Sequence, residues 1–142
     1  MLTTDQALTI ARETLDEGQR RGFAPLCCVV LDRGVHQLAL LRHHDASIYR
    51  PEIATAKAAG CLGMGFGGRE LARRAAAVPL FFNGLQAVFP KGMLPVPGGV
   101  LIRSANGELI GAVGVTGDTS DNDELAALAG IAAAGLAADT GA

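Results

Sequence analysis

Two pairs of short apolar segments, each pair joined by a tight turn, are the feature that most constrains how this chain of 142 residues can fold. Residues 26–31 and 35–42 are separated by Asp-Arg-Gly, and residues 98–104 and 109–117 by a turn around Asn106-Gly107. Apolar runs of this length are typical of buried strands, and Asn-Gly is the strongest short signal for a hairpin turn. The sequence therefore predicts two antiparallel hairpins.

Helical patterns occupy most of the remaining chain. They cover residues 3–21, 51–63, 69–77 and 118–138, whereas residues 79–96 show no clear pattern. The first helix has capping-box spacing between Thr3 and Gln6, and Gly22 stands where it would end. Thr119 or Ser120 is the expected N-cap of the last helix. This order of elements predicts an α+β fold with a mainly antiparallel sheet, in a single domain over residues 1–142.

Composition excludes several classes of function. The formal net charge of −2 lacks the concentrated positive charge that phosphate binding needs, so we expect no nucleic-acid partner. No window approaches the roughly 18 uncharged apolar residues of a membrane span. The N-terminal segment lacks the basic region and long apolar run of a secretory signal, so we expect a cytoplasmic protein whose cysteines, Cys27, Cys28 and Cys61, are reduced and buried; a secreted form from which the signal has been removed is the alternative.

Two of the three histidines stand side by side in LRHHDAS, residues 41–47. Side chains alternate along a strand, so His43 and His44 are expected to face apart as long as the second strand continues through them. His36 shares a face with His44, but the intervening strand separates them by roughly 27 Å. We therefore expect no structural zinc site. A single histidine stays open to three interpretations, namely a surface residue, a general base or an axial ligand to haem iron.

Two further motifs lack the context that their function requires. GMGFGG (63–68) matches G-x-G-x-x-G, but a predicted helix precedes it and no acidic residue follows about 20 positions later, so we expect no nucleotide site. DTSDND (118–123) resembles the start of a calcium loop, but Asp123 and Ala129 stand where that loop needs Gly and Glu. A connection between helices and a capped helix start explain the two segments better.

A cluster of charge lies between the second predicted strand and the next helix. Its members are Arg42, Arg50, Glu52 and Lys57. They are either ordinary surface ion pairs, which contribute little to stability, or an anion subsite near a helix N-terminus. The charge pattern by itself favours the surface ion pairs.

Three segments carry a resemblance to known domains: RPEIATAKAAG (50–60), PVPGGVLI (95–102) and SANGELIGAVGVTGDTSDNDE (104–124). They resemble the GlcG/HbpS family of small haem-binding-type domains, which is related to the C-terminal domain of PduO-type cobalamin adenosyltransferases. The resemblance extends over about residues 3–138. It implies a profilin-like fold, with helices packed on an antiparallel sheet of about five strands. It also implies dimers or higher oligomers, up to octamers, and for several members the binding of haem or a related tetrapyrrole.

The chain departs from many family members after the second predicted strand, where Arg42-His43-His44-Asp45-Ala46 replaces the commoner Arg-Met-Asp-Gly-Ala. We expect a ligand pocket here, in which glycines let a ligand approach the backbone. If haem binds, Arg42 and Arg50 would neutralise its propionates and His44 would hold its iron. The predicted ligand-binding residues are Arg42, His43, His44, Arg50, Glu52, Lys57, Pro97, Gly98, Gly99, Thr116, Gly117 and Thr119.

These observations support three hypotheses about function. The first is a small-ligand-binding protein, most simply for haem or a related tetrapyrrole, that acts as an oligomer. The second is an enzyme on a small oxygenated carbon substrate, with His44 as general base, Asp45 orienting it, and Arg50 or Lys57 anchoring an anion. The third is an accessory oligomerisation module without a pocket.

Overall fold

The computed structural model describes residues 1–142. The helices are α1 (Thr4–Arg20), α2 (Arg50–Met64), α3 (Gly68–Ala77), α4 (Pro79–Gly84) and α5 (Ser120–Ala133), and a 3₁₀ turn spans Leu85–Ala87. The strands are β1 (Cys27–Asp32), β2 (Gln37–Arg42), β3 (Gly99–Arg103), β4 (Leu109–Thr116) and β5 (Ala137–Asp139). Five antiparallel strands with helices packed on them confirm the predicted α+β fold.

The five strands form one sheet in the order β2-β1-β4-β3-β5. Both predicted hairpins are present, because β1 pairs with β2 and β3 pairs with β4. The turn of the second hairpin contains Gly107 with a φ of 80°, as an Asn-Gly turn requires. The hairpins are joined by antiparallel pairing of β1 with β4, in which Cys28 lies opposite Val115. This places β1 and β4 in the interior of the sheet.

Helices cover both faces of the sheet, because the inner strands carry apolar side chains on both faces. Cys28 and Val30 of β1 point to the core that includes residues of α1 and α5. Cys27, Val29 and Leu31 point to the other core, which includes residues of α2. A strand that is buried on both faces reads as a continuous apolar run, which is why LCCVVL shows no alternation.

The ends of α1 match the sequence prediction. The Thr3 side chain accepts a hydrogen bond from the backbone N–H of Gln6, and the Gln6 side chain accepts one from the backbone N–H of Thr3. At the other end, Gly22 has a φ of 73° and its backbone N–H donates to Gln19. These contacts satisfy backbone groups that a helix leaves unpaired at its termini.

The last helix is shorter than predicted, because it ends at Ala133 rather than continuing to residue 138. Gly135 adopts a left-handed φ of 73°, and the backbone N–H of Leu136 donates to the carbonyl of Ile131, which together form a Schellman motif. Residues 137–139 then pair with β3 as strand β5. The alanines at 137 and 138 favour a helix locally, but pairing with the edge of the sheet overrides that preference.

The segment without a clear sequence pattern, residues 79–96, contains α4 and the 3₁₀ turn and then lies along α2. Glycines of α2 permit this contact, because a Cβ at Gly63 would lie 2.2 Å from the Phe89 ring and one at Gly60 would lie 2.8 Å from the Met93 sulfur. No helix in the molecule combines the length and the apolar character that crossing a membrane requires.

Candidate functional site

The turn that follows β2 brings His43, His44 and Asp45 together. The expectation that the two imidazoles face apart is wrong, because β2 ends at Arg42 and the alternation of a strand ends with it. The His43 and His44 rings stack with their centroids 4.2 Å apart, and His44 Nε2 lies 3.5 Å from Asp45 Oδ2. One potential ligand atom from each of the three side chains lies within 4.8 Å of the others.

The two arginines predicted to bind a ligand hold backbone and side chains of the protein instead. The Arg42 guanidinium donates to the carbonyls of His44 (3.4 Å) and Ala46 (2.5 Å), and so it closes the turn that contains the histidines. The Arg50 guanidinium donates to Thr116 Oγ1 (2.7 Å) and to the Ser47 hydroxyl (3.1 Å). Arg50 therefore ties the start of α2 to the end of β4.

Lys57 lies inside the molecule. Its Nζ donates to the carbonyl of Val115 (2.8 Å) and to Asp123 Oδ2 (3.1 Å), and the two charged side chains are only 4% and 2% exposed. The other carboxylate oxygen of Asp123 accepts from the backbone N–H of Asp118 (2.9 Å). The pair connects α2, β4 and α5 from within, so the ammonium does not face solvent or a cleft.

Burial shifts the ionisation of both partners of this pair. Removal from water lowers the pKa of Lys57, because it disfavours the ammonium more than the neighbouring Asp123 carboxylate favours it. The same effect raises the pKa of Asp123 and outweighs the attraction of Lys57 and the hydrogen bonds that the carboxylate accepts. Each charge is therefore stabilised mainly by the other, and loss of either partner leaves an unpaired buried charge.

The glycines expected to admit a ligand admit protein backbone instead. A Cβ at Gly98 would lie 2.6 Å from the Val115 carbonyl oxygen, and one at Gly99 would lie 2.8 Å from the Lys57 carbonyl oxygen. At Gly114 the distance to the Ala54 carbonyl oxygen would be 1.8 Å, and at Gly117 the distance to the Pro25 carbonyl oxygen would be 2.2 Å. These glycines allow α2 and the loops to approach the sheet closely.

The remaining predicted residues do not form one pocket around these glycines. Thr119 is the N-cap of α5, where its hydroxyl accepts from the backbone N–H of Asn122, and Pro97 is half-buried before Gly98. Glu52 lines a separate cleft of about 420 Å³ beside Gln37 and Leu40. None of the five clefts of the molecule is lined by His44, Arg50, Lys57, Gly98, Gly99, Thr116, Gly117 or Thr119.

An apolar cleft of about 580 Å³ lies elsewhere, between the β1–β2 turn, α2 and the segment that precedes β3. We call it the Lys91 cleft. Its lining is Gly34, Val35, His36, Ala59, Gly63, Val88, Phe89, Pro90 and Lys91. Its volume falls within the range of about 300 to 1,000 Å³ that is typical of small-ligand sites. The sequence contained one signal for this cleft, because His36 follows Asp32 by four residues across the first hairpin turn.

His36 is the imidazole of the Lys91 cleft. Its Nδ1 lies 3.3 Å from Asp32 Oδ1, and the same carboxylate oxygen accepts from the backbone N–H groups of Gly34 (2.8 Å) and His36 (3.0 Å). Desolvation raises the pKa of Asp32, but these hydrogen bonds and the imidazole outweigh it, so the pKa lies below its usual value. Nδ1 faces the carboxylate, so Nε2 is the ring nitrogen that remains available to a ligand.

A second cleft borders the His43–Asp45 turn. It measures about 330 Å³, and His43 lines it together with side chains from the end of α1 and the loop before β1, among them Leu15, Phe23 and Leu26. His43 is half-buried there, and its Nδ1 accepts a hydrogen bond from the backbone N–H of Asp45 (3.1 Å). His44 does not line this cleft, and its side chain is 83% exposed.

Solved structures share this fold. HbpS, whose crystal structure is known, shares 30% sequence identity with this chain. The superposition covers 92% of this chain and 88% of the HbpS chain, with a TM-score of 0.79. Protein ORFY of Klebsiella pneumoniae shares 26% sequence identity with this chain. The match covers 94% of this chain and 90% of the ORFY chain, with a TM-score of 0.79. The complex of PduOC with haem has a TM-score of 0.83 over 96% of both chains at 23% identity, which shows the common fold.

Sequence comparison gives the same assignment at the level of the family. No curated protein sequence matches this chain. The family model described as "Haem degrading protein HbpS-like" matches residues 2–132, which include α1, α2, both hairpins and nearly all of α5. The chain therefore belongs to the HbpS-like family.

Proposed function

We propose that this protein binds haem or a related tetrapyrrole, that it does so in the Lys91 cleft, and that it acts as an oligomer. Membership of the HbpS-like family and the HbpS structure at 30% identity support a haem-related role. PduOC, which has the same fold, forms a complex with haem. The observation that carries the choice of site is His36, which lines an apolar cleft and whose Nδ1 lies beside the Asp32 carboxylate.

The residues of the Lys91 cleft fit a haem group by size and by chemistry. Val35, Val88 and Phe89 would supply apolar walls for the macrocycle, and His36 would supply an imidazole for the iron. Asp32 would hold the imidazole in its orientation, as carboxylates next to metal-binding histidines do. Haem, when bound, supplies a redox-active iron whose reactivity depends on its axial ligand and on the polarity around it.

Lys91 is placed to receive an anionic group of the ligand. Its Nζ donates to the carbonyl of Val35 (2.6 Å) at the edge of the cleft, and the side chain is exposed. An ammonium has three donors, so two remain for a propionate while the contact with Val35 persists. Lys91 would therefore replace Arg42 and Arg50, which are engaged in the protein, as the group that neutralises a propionate.

Titration of the purified protein with hemin tests this proposal. We expect a Soret band that differs from that of free hemin, and we expect His36→Ala to weaken binding at least about tenfold, since loss even of groups that only orient a metal ligand costs that much. His44→Ala is the matched control, because it removes an exposed imidazole outside the cleft. The proposed site would be contradicted if His36→Ala gave the same spectrum as the wild type and His44→Ala lost the Soret band. That result would make His44 the iron ligand.

Self-association is supported by apolar side chains around α4 that the chain leaves exposed. Leu80 is 85% exposed, Phe81 57%, Val78 49%, and Val88, at the rim of the Lys91 cleft, 69%. We call these four residues the α4 patch. Val78, Leu80 and Phe81 line one shallow cleft, and exposed apolar side chains grouped in this way often mark protein–protein contacts. Oligomerisation through this patch would also cover one side of the haem site.

A further inference from the structure

We propose that the His43–Asp45 turn is a second, separate binding site, which takes a divalent transition-metal ion. His43, His44 and Asp45 would each supply one ligand, and solvent or a small ligand would fill the other positions. The site lies after β2, whereas His36 of the Lys91 cleft precedes β2. Metal binding here needs neither haem nor the proposed haem site.

The donor atoms are close enough to converge on one ion after small side-chain rotations. One atom from each residue lies within 4.8 Å of the others. Nitrogen and carboxylate ligands lie about 2.0 to 2.2 Å from a tetrahedral zinc ion, so two ligands of the same ion lie about 3.3 to 3.6 Å apart. The required movement is therefore about 1 Å, which rotation of the exposed His44 and Asp45 side chains can supply.

The three donor groups are available to a metal. The Asp45 carboxylate contacts no lysine or arginine, and its neighbour within salt-bridge distance is His44. The Asp45 and His44 side chains are 69% and 83% exposed. His43 Nδ1 carries an unprotonated lone pair, because it accepts the N–H of Asp45, and a metal would replace this hydrogen bond.

The backbone that carries the donors is held in place by the rest of the fold. The backbone N–H of His43 donates to the carbonyl of Leu26 (3.0 Å), and that of Ala46 donates to the carbonyl of His43 (2.9 Å). The Arg42 guanidinium binds the carbonyls of His44 and Ala46, so its charge is directed into the turn. A turn fixed in this way loses little conformational entropy when its side chains bind an ion.

The donor set selects the class of ion. Two imidazoles and one carboxylate suit Zn²⁺, Ni²⁺, Cu²⁺ or Fe²⁺, whereas Mg²⁺ and Ca²⁺ prefer sites built only from oxygen. Three protein ligands leave coordination positions open, which is the arrangement of metal sites that bind a further small molecule. We therefore expect exchangeable binding of a transition-metal ion that rejects Mg²⁺.

Calorimetric titration of the tag-free, haem-free full chain with Zn²⁺ tests this inference. We expect one ion per chain in the presence of excess Mg²⁺, and at least about tenfold weaker binding in His44→Ala and in Asp45→Asn. Asp16→Asn, which removes an exposed carboxylate on α1 far along the chain from the turn, is the matched control and should bind Zn²⁺ as the wild type does. The cysteines do not compete, because burial raises the pKa of Cys27 to about 11 and those of Cys28 and Cys61 to about 12.

Three results would overturn the inference. They are an absence of Zn²⁺ binding to the wild type, unchanged binding in His44→Ala and Asp45→Asn, or a stoichiometry of one ion per two chains. Both substitutions lie on exposed side chains, so circular dichroism should show an intact fold. Hemin titration of the same variants separates the two proposals, because a failed haem site leaves Zn²⁺ binding unaffected and a failed metal site leaves the Soret band unaffected.

Discussion

Val35 has an unusual backbone conformation for its residue type. Its φ is 69°, and every other residue with a positive φ is a glycine. A branched side chain in the left-handed region is strained by roughly 1–2 kcal/mol. The strain is maintained by the turn, because the backbone N–H of Val35 donates to the carbonyl of Asp32 and its own carbonyl accepts from Lys91. This conformation leads directly into His36 at the Lys91 cleft.

This strain predicts a reversal of the usual order of alanine and glycine. Both substitutions remove the valine side chain, but only glycine relieves the positive φ, so Val35→Gly should be more stable than Val35→Ala by about 1 kcal/mol. Chemical denaturation measures the two free energies of unfolding. Leu8, an exposed residue of α1, is the control position, where Ala should be more stable than Gly. The same order at both positions would contradict strain at Val35.

Sequence patterns could not reveal this conformation. Asp-Arg-Gly correctly marks a turn, but the glycine at 34 is the residue expected to take a positive φ, and the turn uses Val35 instead. The same limit applied to His43 and His44, whose relative orientation depends on where β2 ends. A pattern of residue types gives the position of a turn more reliably than the torsion of each residue within it.

At the scale of elements, α2 is held against the sheet by close backbone packing and one buried ion pair. Gly114 of β4 leaves room for the carbonyl of Ala54, and Gly99 of β3 leaves room for that of Lys57. The Lys57 ammonium then extends past β4 to Asp123 of α5. The cluster of charge that looked like a surface feature thus contains one residue that connects three elements inside the molecule.

Removal of one charge from this pair should be costly. Lys57→Met leaves the Asp123 carboxylate buried without its partner, so we expect the free energy of unfolding to fall by about 3–5 kcal/mol. Urea denaturation followed by circular dichroism measures this loss. Lys57→Met combined with Asp123→Asn is the control, because it removes the second charge and keeps an acceptor for the N–H of Asp118. The double variant should recover part of the loss, and a change under about 1 kcal/mol in the single variant would refute the role of the pair.

Elements with a local signal were predicted well, and elements set by distant contacts were not. The capping box at Thr3, the Asn106-Gly107 turn and the N-cap at Thr119 act within a few residues of sequence. Strand β5 has no such signal, because Ala137–Asp139 becomes a strand only through pairing with β3. The Lys91 cleft likewise depends on how residues 88–91 lie on α2, which a sequence without periodicity there does not indicate.

At the scale of the whole molecule, the α4 patch lies on the side of the sheet that α2 covers, since Phe82 and Leu85 pack into the same core as α2. Leu80→Asp places a charge on the most exposed residue of the patch, where it would be desolvated in a subunit interface. We therefore expect this variant to shift toward the monomer mass in size-exclusion chromatography with light scattering. Its far-ultraviolet circular dichroism should not change, because Leu80 is exposed.

Leu125→Asp is the matched control for this prediction. Leu125 is also an exposed apolar residue, but it lies on α5, which packs on the opposite face of the sheet. It should leave the mass of the wild-type assembly unchanged. An identical mass in the wild type and in Leu80→Asp would contradict self-association through the α4 patch.

The pairing of β1 with β4 has a consequence for how the chain reaches its fold during synthesis. Cys27 pairs with Arg42 in the first hairpin and with Thr116 on its other side, so one partner is made early and the other only near the end of translation. Until β4 emerges, β1 presents an open apolar edge of the kind that recruits strands from other chains. The nascent protein is therefore most prone to aggregation while residues 43–108 are being made.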